Sequence, residues 1–254
     1  MQHLNTLFVG KVLLHFQELD STNSHAQELL AKSKPVEGTI VLASAQPQGR
    51  GQHGSRWESE PGKNLTLSLI LYPDFLPAWR NFVLNKAVSL AVRDCIAAFL
   101  PQKNVAIKWP NDIYVGDKKI GGILIQNTLQ QSVIASTIIG IGLNINQTQF
   151  SAAVPNPTSL QLESGNEFAL EIVLAALAER LEQYYLQLRA GNWEQLNTFY
   201  LQRLYRLGTN SVFQRIDGTV FRGVITGISD SGRLQISHDD FVETFDLKEV
   251  SFVH

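Results

Sequence analysis

One cysteine in 254 residues, Cys95, leaves no partner for an intramolecular disulfide and no second thiolate for a cysteine-based metal site. No apolar run approaches the roughly 20 residues needed to span a bilayer. The opening stretch, Met1 to Lys11, lacks a basic segment leading into an apolar stretch and a small-residue cleavage site, so it does not read as a secretory leader. Positive charge is scarce too. Lys and Arg number 21 against 23 Asp and Glu, a formal net charge of −2, and the basic residues are scattered. A duplex-binding protein needs a dense basic face to displace counterions from phosphate, so no nucleic-acid partner is expected. With no membrane segment and no leader, the expected location is the cytoplasm.

What is present suits a globular chain. Hydrophobic residues make up 44% and charged residues 17%, enough for a sizeable core in one large domain with a smaller one attached. Strands are expected at Leu13 to Leu19, Gly38 to Ala45 and Asn64 to Leu71. Between the first two, Asp20-Ser21-Thr22-Asn23 supplies helix N-caps, and Ala26, Leu29 and Leu30 give the following helix an apolar face. Trp79 to Leu100 reads as a long helix, with Val83, Ala87, Leu90, Ala91, Cys95 and Ala98 on one face and Pro101 ending it. Cys95 is therefore read as core. Further strands are expected at Val105 to Trp109, Ile113 to Val115, Ile120 to Gln126 and Val133 to Ile141, with Asp117-Lys118 as a hairpin turn. Helices follow at Glu167 to Arg189 and Trp193 to Tyr205. Beyond Leu207 the pattern changes to short strands with tight turns at Asp217-Gly218, Ser229 to Gly232 and His238 to Asp240, as in a small β-barrel. The expected fold class is α+β, a mixed sheet packed with helices over 1–206, plus a small barrel over 207–254. There is no internal repeat and no low-complexity segment.

Two segments carry chemistry. The first is Gly49-Arg50-Gly51-Gln52-His53-Gly54-Ser55-Arg56-Trp57. Three glycines in six residues allow a backbone to approach a ligand, and their amides beside Arg50 could bind a carboxylate or phosphate; a plain surface loop has the same composition. The P-loop pattern is absent, because Ser55-Arg56 follows where Lys-Ser/Thr is required. The second is Lys108-Trp109-Pro110-Asn111-Asp112-Ile113-Tyr114, followed by Lys119-Ile120-Gly121-Gly122-Ile123-Leu124. Gly121-Gly122 leaves a strand bare so that something can lie against it, and Lys119 could counter charge on a phosphoryl oxygen. On its own, Lys119 could equally be a solvated hairpin lysine.

Together the two segments resemble the biotin–protein ligase family, which includes the enzymatic half of the bacterial biotin repressors. GRGQHGSRW and KWPNDIYVGDKKIGGIL carry the likeness, supported by Ser21-Thr22-Asn23, by Gln46 and by GIGLNIN from Gly140 to Asn146. The resemblance implies a class II synthetase-like catalytic domain with an SH3-like barrel at its C-terminal end. It implies ATP and biotin as substrates, Mg2+ alongside them, and a biotin carboxyl carrier protein as acceptor through a lysine. It also implies a homodimer at most. Ser21, Thr22, Asn23 and Gln46 would hydrogen-bond the biotin ureido group, whose two donors and one acceptor need partners when buried. Gly49, Arg50, Gly51, Gln52 and Trp57 match the loop closing over biotin and the adenylate phosphate. Lys119 and Gly122 match the segment beside the reacting carboxylate, and Asn144 the asparagine near the nucleotide. Lys119 and Arg50 are the expected catalytic cations. Asp112 is open to two roles, holding Mg2+ or positioning a lysine.

Two departures from the family stand out. Gln52 occupies a position where the family commonly has a second arginine, from which a looser hold on the adenylate is expected. The repressor members carry an N-terminal winged-helix domain, whereas only residues 1–12 precede the first expected strand here, so operator binding is not expected. Lipoate- or octanoate-transferring enzymes share the general fold and form the nearest alternative. A non-catalytic biotin sensor is the alternative from another class, disfavoured by the presence of both Lys119 and Arg50.

Overall fold

The computed structural model describes residues 4–253, the side chain of His53 excepted; Met1 to His3 of the opening stretch lie outside the described residues. Seven strands form one sheet: β1 (Leu13–Glu18), β2 (Ile40–Ala45), β3 (Leu65–Leu71), β4 (Val105–Lys108), β5 (Asp112–Val115), β6 (Lys118–Gln130) and β7 (Val133–Leu143). Their order is β1-β2-β3-β7-β6-β5-β4. Only β1 and β2 run parallel, because the helix α1 (Thr22–Lys32) makes the crossover between them. The others pair antiparallel.

The two faces of the sheet differ, and strand β3 shows how. Every one of its seven residues is buried. Leu65, Leu67, Leu69 and Leu71 join the main core, while Ile70 packs with Ala26, Val41 and Ile138 beneath α1. The alternation follows from the period of two along a strand. Helices α2 (Asn81–Phe99) and α4 (Leu170–Arg189) pack together in the main core. On the opposite face α1 lies over the β2–β3–β7 side.

Several element limits differ from expectation. The first turn of the Trp79 helix is 3-10 at Ala78–Arg80, with α2 proper starting at Asn81. Within it Leu84, Val88, Val92 and Ile96 are buried, and Ala98, in its last turn, is exposed. Helix α4 begins at Leu170, after the Phe168 N–H is drawn off to donate to Asn146 Oδ1 at 3.0 Å. Helix α5 (Trp193–Gln202) stops short of Tyr205, whose N–H turns to donate to Ile107 O of β4. The hairpin turn is Gly116-Asp117, with Gly116 at φ +57°, and β6 starts at Lys118. A short helix, α3 (Leu160–Ser164), capped by the Ser159 hydroxyl, was not expected.

The C-terminal strands β8 (Asn210–Arg215), β9 (Val220–Ile228), β10 (Leu234–His238), β11 (Phe241–Phe245) and β12 (Val250–Phe252) form an antiparallel sheet ordered β11-β10-β9-β8-β12. It curls on its own apolar face, since Arg215 on β8 reaches Glu243 on the non-adjacent β11. The sheet docks on the main body, and its buried side chains join the main core. Trp109 Nε1 donates to Gly232 O at 2.8 Å, and Tyr205 and Phe252 pack on Ala106 and Tyr114.

Candidate active site

The open face of the main sheet is floored by glycine. Gly122 and Gly142 are directly paired across β6 and β7, and Gly140 lies two residues up the same strand on the same face. A side chain on Gly142 would run into the Trp57 indole, and one on Gly140 into the Asn23 amide. The absent side chains leave a cleft of about 760 Å³ including its mouth.

At one end of the cleft stands a polar ring. Ser21 caps α1, its hydroxyl accepting from Ser24 N at 3.5 Å, so the chain turns there and sends Thr22 and Asn23 inward, all three buried. Gln46, just beyond β2, accepts from Thr22 N–H through Oε1 at 2.6 Å. Ser68 on β3 is fully buried, with its Oγ 2.8 Å from Thr22 Oγ1 and 2.5 Å from Asn23 Oδ1. Asn23 Nδ2 donates to Gln126 Oε1 at 2.8 Å.

At the other end stand the cations. Lys119 Nζ lies 2.7 Å from Asp112 Oδ1 and 5.8 Å from the centre of the Trp57 ring. Its backbone is fixed on both sides, N–H donating to Asn156 O and C=O accepting from Thr158 N. The glycine-rich segment is not a shapeless loop. Trp57 N donates to Gly49 O, Gly51 N to Ser55 O and Ser55 N to Gln52 O, with Arg50 and Arg56 bridged, so it folds as a small hairpin around a 3-10 turn at Gln52–Gly54. That hairpin brings Arg50 and Arg56, both exposed, over the cleft and lays Trp57 on the glycine floor. The Trp57 Nε1 atom is buried without a hydrogen-bond partner among the described residues.

A match to the biotin/lipoate A/B protein ligase family spans residues 15–144. The bifunctional ligase/repressor BirA of Bacillus subtilis is 31% identical over 245 residues, covering 94% of this chain and 74% of that protein. The chain belongs to the biotin/lipoate A/B protein ligase family. A biotin–[acetyl-CoA-carboxylase] ligase of Paracoccus denitrificans is also 31% identical, over 85% of this chain and 90% of its own length. Among solved structures, the Aquifex aeolicus biotin protein ligase in complex with biotin and ATP superimposes with a TM-score of 0.77 at 25% identity, covering 95% of this chain and 98% of that one. The fold is thus the α+β ligase fold with a C-terminal antiparallel sheet.

In this ligase-family frame, the cleft gathers most of the residues singled out in the sequence. Ser21, Thr22, Asn23, Gln46, Arg50, Gly51, Gln52, Trp57, Lys119 and Gly122 all line it, as does Asp112. Gly49 and Asn144 do not. Gly49 lies against the Trp57 backbone, where a side chain would break the hairpin. Asn144 is buried behind the wall, Nδ2 donating to Thr158 O at 2.9 Å, and its Oδ1 has no partner among the described residues. Sequence reasoning missed Asn111, Gly140 and Gly142 in the lining, and Ser68 and Gln126 behind it; Arg56 of the glycine-rich segment lines the cleft as well. The Gly-Ile-Gly spacing was a usable signal, because glycines two apart on a strand bare one face. Asn111 holds β6 in place, Nδ2 donating to Ile123 O at 2.7 Å.

Lys108 lies outside the cleft lining, its Nζ donating to Tyr114 Oη at 3.0 Å and lying 4.9 Å from the centre of the Phe252 ring. Burial pulls its ammonium below the usual lysine value, with Asp112 pulling the other way. Cys95 is buried in the core as expected, and burial pushes its thiol up to about 12. No helix among the described residues is long and apolar enough to cross a membrane.

Proposed function

We propose that this chain joins biotin to ATP as biotinyl-5′-AMP and then passes the biotinyl group to a lysine of a biotin carboxyl carrier protein in the cytoplasm. One observation carries the reading: a single glycine-floored cleft holds a buried amide and hydroxyl ring at one end and Lys119, Arg50 and Arg56 at the other. The Paracoccus relative is named a biotin–[acetyl-CoA-carboxylase] ligase, and the Aquifex structure holds biotin and ATP.

The chemistry asks little of the protein beyond placement and charge. In the first step a biotin carboxylate oxygen attacks the α-phosphorus, the bond to the bridging oxygen breaks, and pyrophosphate leaves with the electron pair. Both reactants are anions, so the main requirement is cationic groups and N–H donors preset at the meeting point. Lys119, held by Asp112, stands beside that point, and the hairpin carrying Arg50 and Arg56 closes over it. Gln52 takes a neutral place in the same hairpin, with Arg56 supplying a second guanidinium. In the second step the acceptor amine attacks the acyl carbon, the acyl–oxygen bond breaks, AMP leaves, and the amine nitrogen gives up a proton. Mg2+ would neutralise the leaving pyrophosphate. The cleft offers it one carboxylate, Asp112, which suits an ion whose remaining ligands are phosphate oxygens and water. Asn144, whose buried Oδ1 has no partner among the described residues, is the residue we assign to the nucleotide side. Residues 1–206 form the catalytic unit in this reading and 207–254 the small barrel, and a homodimer is the largest assembly expected.

The test is incubation with ATP, Mg2+ and a biotin carrier domain, supplying biotin, lipoate or octanoate in separate arms and reading the carrier by mass. A biotinyl mass gain at one lysine is expected. Gain with lipoate or octanoate in its place would move the chain to the other branch of the family. Pyrophosphate exchange without any carrier labelling would leave a sensor.

A further inference from the structure

The hairpin over the cleft and the backbone clamp on Lys119 are joined outside the cleft. The chain leaving the hairpin, residues 58–64, is bonded to the chain leaving β7, residues 144–151. Their inner ends form a firm joint. Asn64 and Gln147 are both buried, Asn64 Nδ2 donates to Gln147 Oε1 at 2.5 Å, and Asn64 Oδ1 accepts from Ile145 N–H at 2.9 Å. Glu60 N–H donates to the same Gln147 Oε1 at 3.0 Å. At the outer end the contact is of another kind. Glu58, the residue after Trp57, accepts twice from Ser151: Oγ donates to Oε2 at 2.6 Å and the backbone N–H to Oε1 at 3.2 Å. Both residues are exposed. From Ser151 the chain runs along the surface to Asn156 and Thr158, whose backbone groups hold Lys119 on both sides. The Thr158 carbonyl also accepts from Asn144 Nδ2.

We propose that Glu58 is a positioning residue that latches the hairpin to the strap of residues 151–158, so that closure over biotin and the setting of Lys119 and Asn144 for the nucleotide are one movement. The proposal rests on the function given above and adds how its two substrates are coupled. The buried Asn64–Gln147 joint serves as the fixed hinge, and the exposed Glu58–Ser151 contact as the catch. A hydrogen bond in contact with water competes with solvent, so this one adds little to the stability of the fold and can be made and broken as the hairpin moves. Its place is what gives it effect. Glu58 follows directly on the Trp57 that lies on the glycine floor, and at its far end the strap is anchored to Lys119 itself. Coupling of this kind is reciprocal: nucleotide tightens biotin by the factor by which biotin tightens nucleotide.

The experiment measures biotin affinity by calorimetry, without nucleotide and with saturating α,β-methylene-ATP and Mg2+, an analogue whose methylene bridge is not cleaved. The proteins are the full chain and its Glu58→Ala, Ser151→Ala and doubly substituted variants, and the ratio of the two biotin dissociation constants is the coupling. Glu58→Ala should cut the benefit of nucleotide to biotin by about fivefold, while biotin affinity without nucleotide stays within about twofold of wild type. Ser151→Ala keeps the backbone N–H bond and should lose less. The double variant should lose no more than Glu58→Ala, because both changes break one contact. A ratio unchanged in Glu58→Ala, even with biotin weakened in both arms, would mean that Glu58 only props the hairpin, and would overturn the proposal alone. A wild-type chain that binds neither biotin nor the analogue would overturn the proposal together with the reading beneath it. A thermal melt of each variant, expected close to wild type, separates loss of fold from loss of coupling.

Discussion

Lys119 owes its position to neighbours on both sides in sequence and in space. Its backbone is pinned between Asn156 and Thr158, and its ammonium is drawn to Asp112, which opposes Gly122 across β5 and β6. Losing one preset cation at a developing charge costs about 3 kcal/mol, on the order of a hundredfold in rate. Lys119→Ala should therefore slow biotin-dependent pyrophosphate release by roughly that factor or more while leaving the melting temperature near wild type. Asp112→Asn keeps the lysine but loses its anchor, and a smaller loss is expected. Stopped-flow or exchange assays on the two variants give the order, and equal rates in wild type and Lys119→Ala would return Lys119 to the status of a surface hairpin lysine. Lys119 was legible in the sequence because Gly121-Gly122 follows it, and paired glycines in a strand are a local signal. Ser68 was not. A lone serine in Leu-Thr-Leu-Ser-Leu-Ile-Leu carries no sign of what faces it, since Asn23 and Gln126 come from 45 residues before and, in the next link, 103 residues beyond Asn23.

At the scale of elements, strands and long helices were readable because the core imposes periods of 2 and 3.6 on the sequence. What escaped was set by distant contacts: the end of α5 at Tyr205, drawn to β4, and the hairpin fold of Gly49 to Trp57. Composition alone describes that segment as a loose strap. Its backbone bonds make it a small lid instead, held at its base by the Trp57 N to Gly49 O bond of 2.9 Å and exposed at its tip. Ligand beneath it adds contacts to Arg50, Arg56 and Trp57, so biotin with ATP should slow tryptic cleavage at Arg50 and Arg56. Unchanged cleavage would place the lid outside the binding step.

A second element-scale prediction concerns the curl of the C-terminal sheet. The Arg215 hydrogen bonds hold the Glu243 carboxyl down at about 2, and His238 Nε2 sits 2.7 Å from the same carboxylate. The unfolded carboxyl titrates near 4.3, so this group's contribution to stability is present above that pH and is lost as pH falls from about 4.3 towards 2. Glu243→Gln should be less stable than wild type at pH 7 and converge with it at about pH 2. Denaturant midpoints at pH 7, 4 and 2.5 would show the narrowing gap. A gap independent of pH would mean that the Glu243 side chain contributes through packing alone.

Taken whole, the molecule ties its C-terminal sheet to the catalytic cleft through the Lys-Trp-Pro-Asn-Asp run, where Lys108 lies over Phe252 and Trp109 reaches Gly232. Trp109 is buried and points away from the cleft, donating to Gly232 O, while Asn111 and Asp112 two and three residues on hold β6 and Lys119. A side chain at Gly232, where φ is +89°, would meet the Phe82 ring of α2, so the turn sits tightly on the main body. Trp109→Phe keeps most of the apolar bulk and removes the indole donor, leaving Gly232 O unpaired. Adenylation should fall several-fold in that variant with biotin affinity little changed, since the polar ring belongs to α1, β2 and β3. Equal weakening of biotin binding would instead indicate general loosening of the sheet.

The glycine floor has a consequence for the empty protein. Gly122, Gly140 and Gly142 lie in the middle of a seven-stranded sheet, where neighbouring strands carry Val, Leu and Ile, so this stretch of backbone has no side chains of its own and is covered from across the cleft by the Trp57 ring and the Asn23 amide. A flat apolar ligand seated there takes the place of those missing side chains, and in that sense it is the last piece of the protein's packing. Ligand binding should then raise the melting temperature, as filling its cavity stabilises a core mutant. At a hundred times the dissociation constant the gain is about 2.7 kcal/mol, or roughly 5–10 °C for a chain of this size. Differential scanning with increasing biotin would trace that rise, whereas Gly142→Ala, whose added methyl would meet the Trp57 indole, should lift that ring from the floor and blunt the rise.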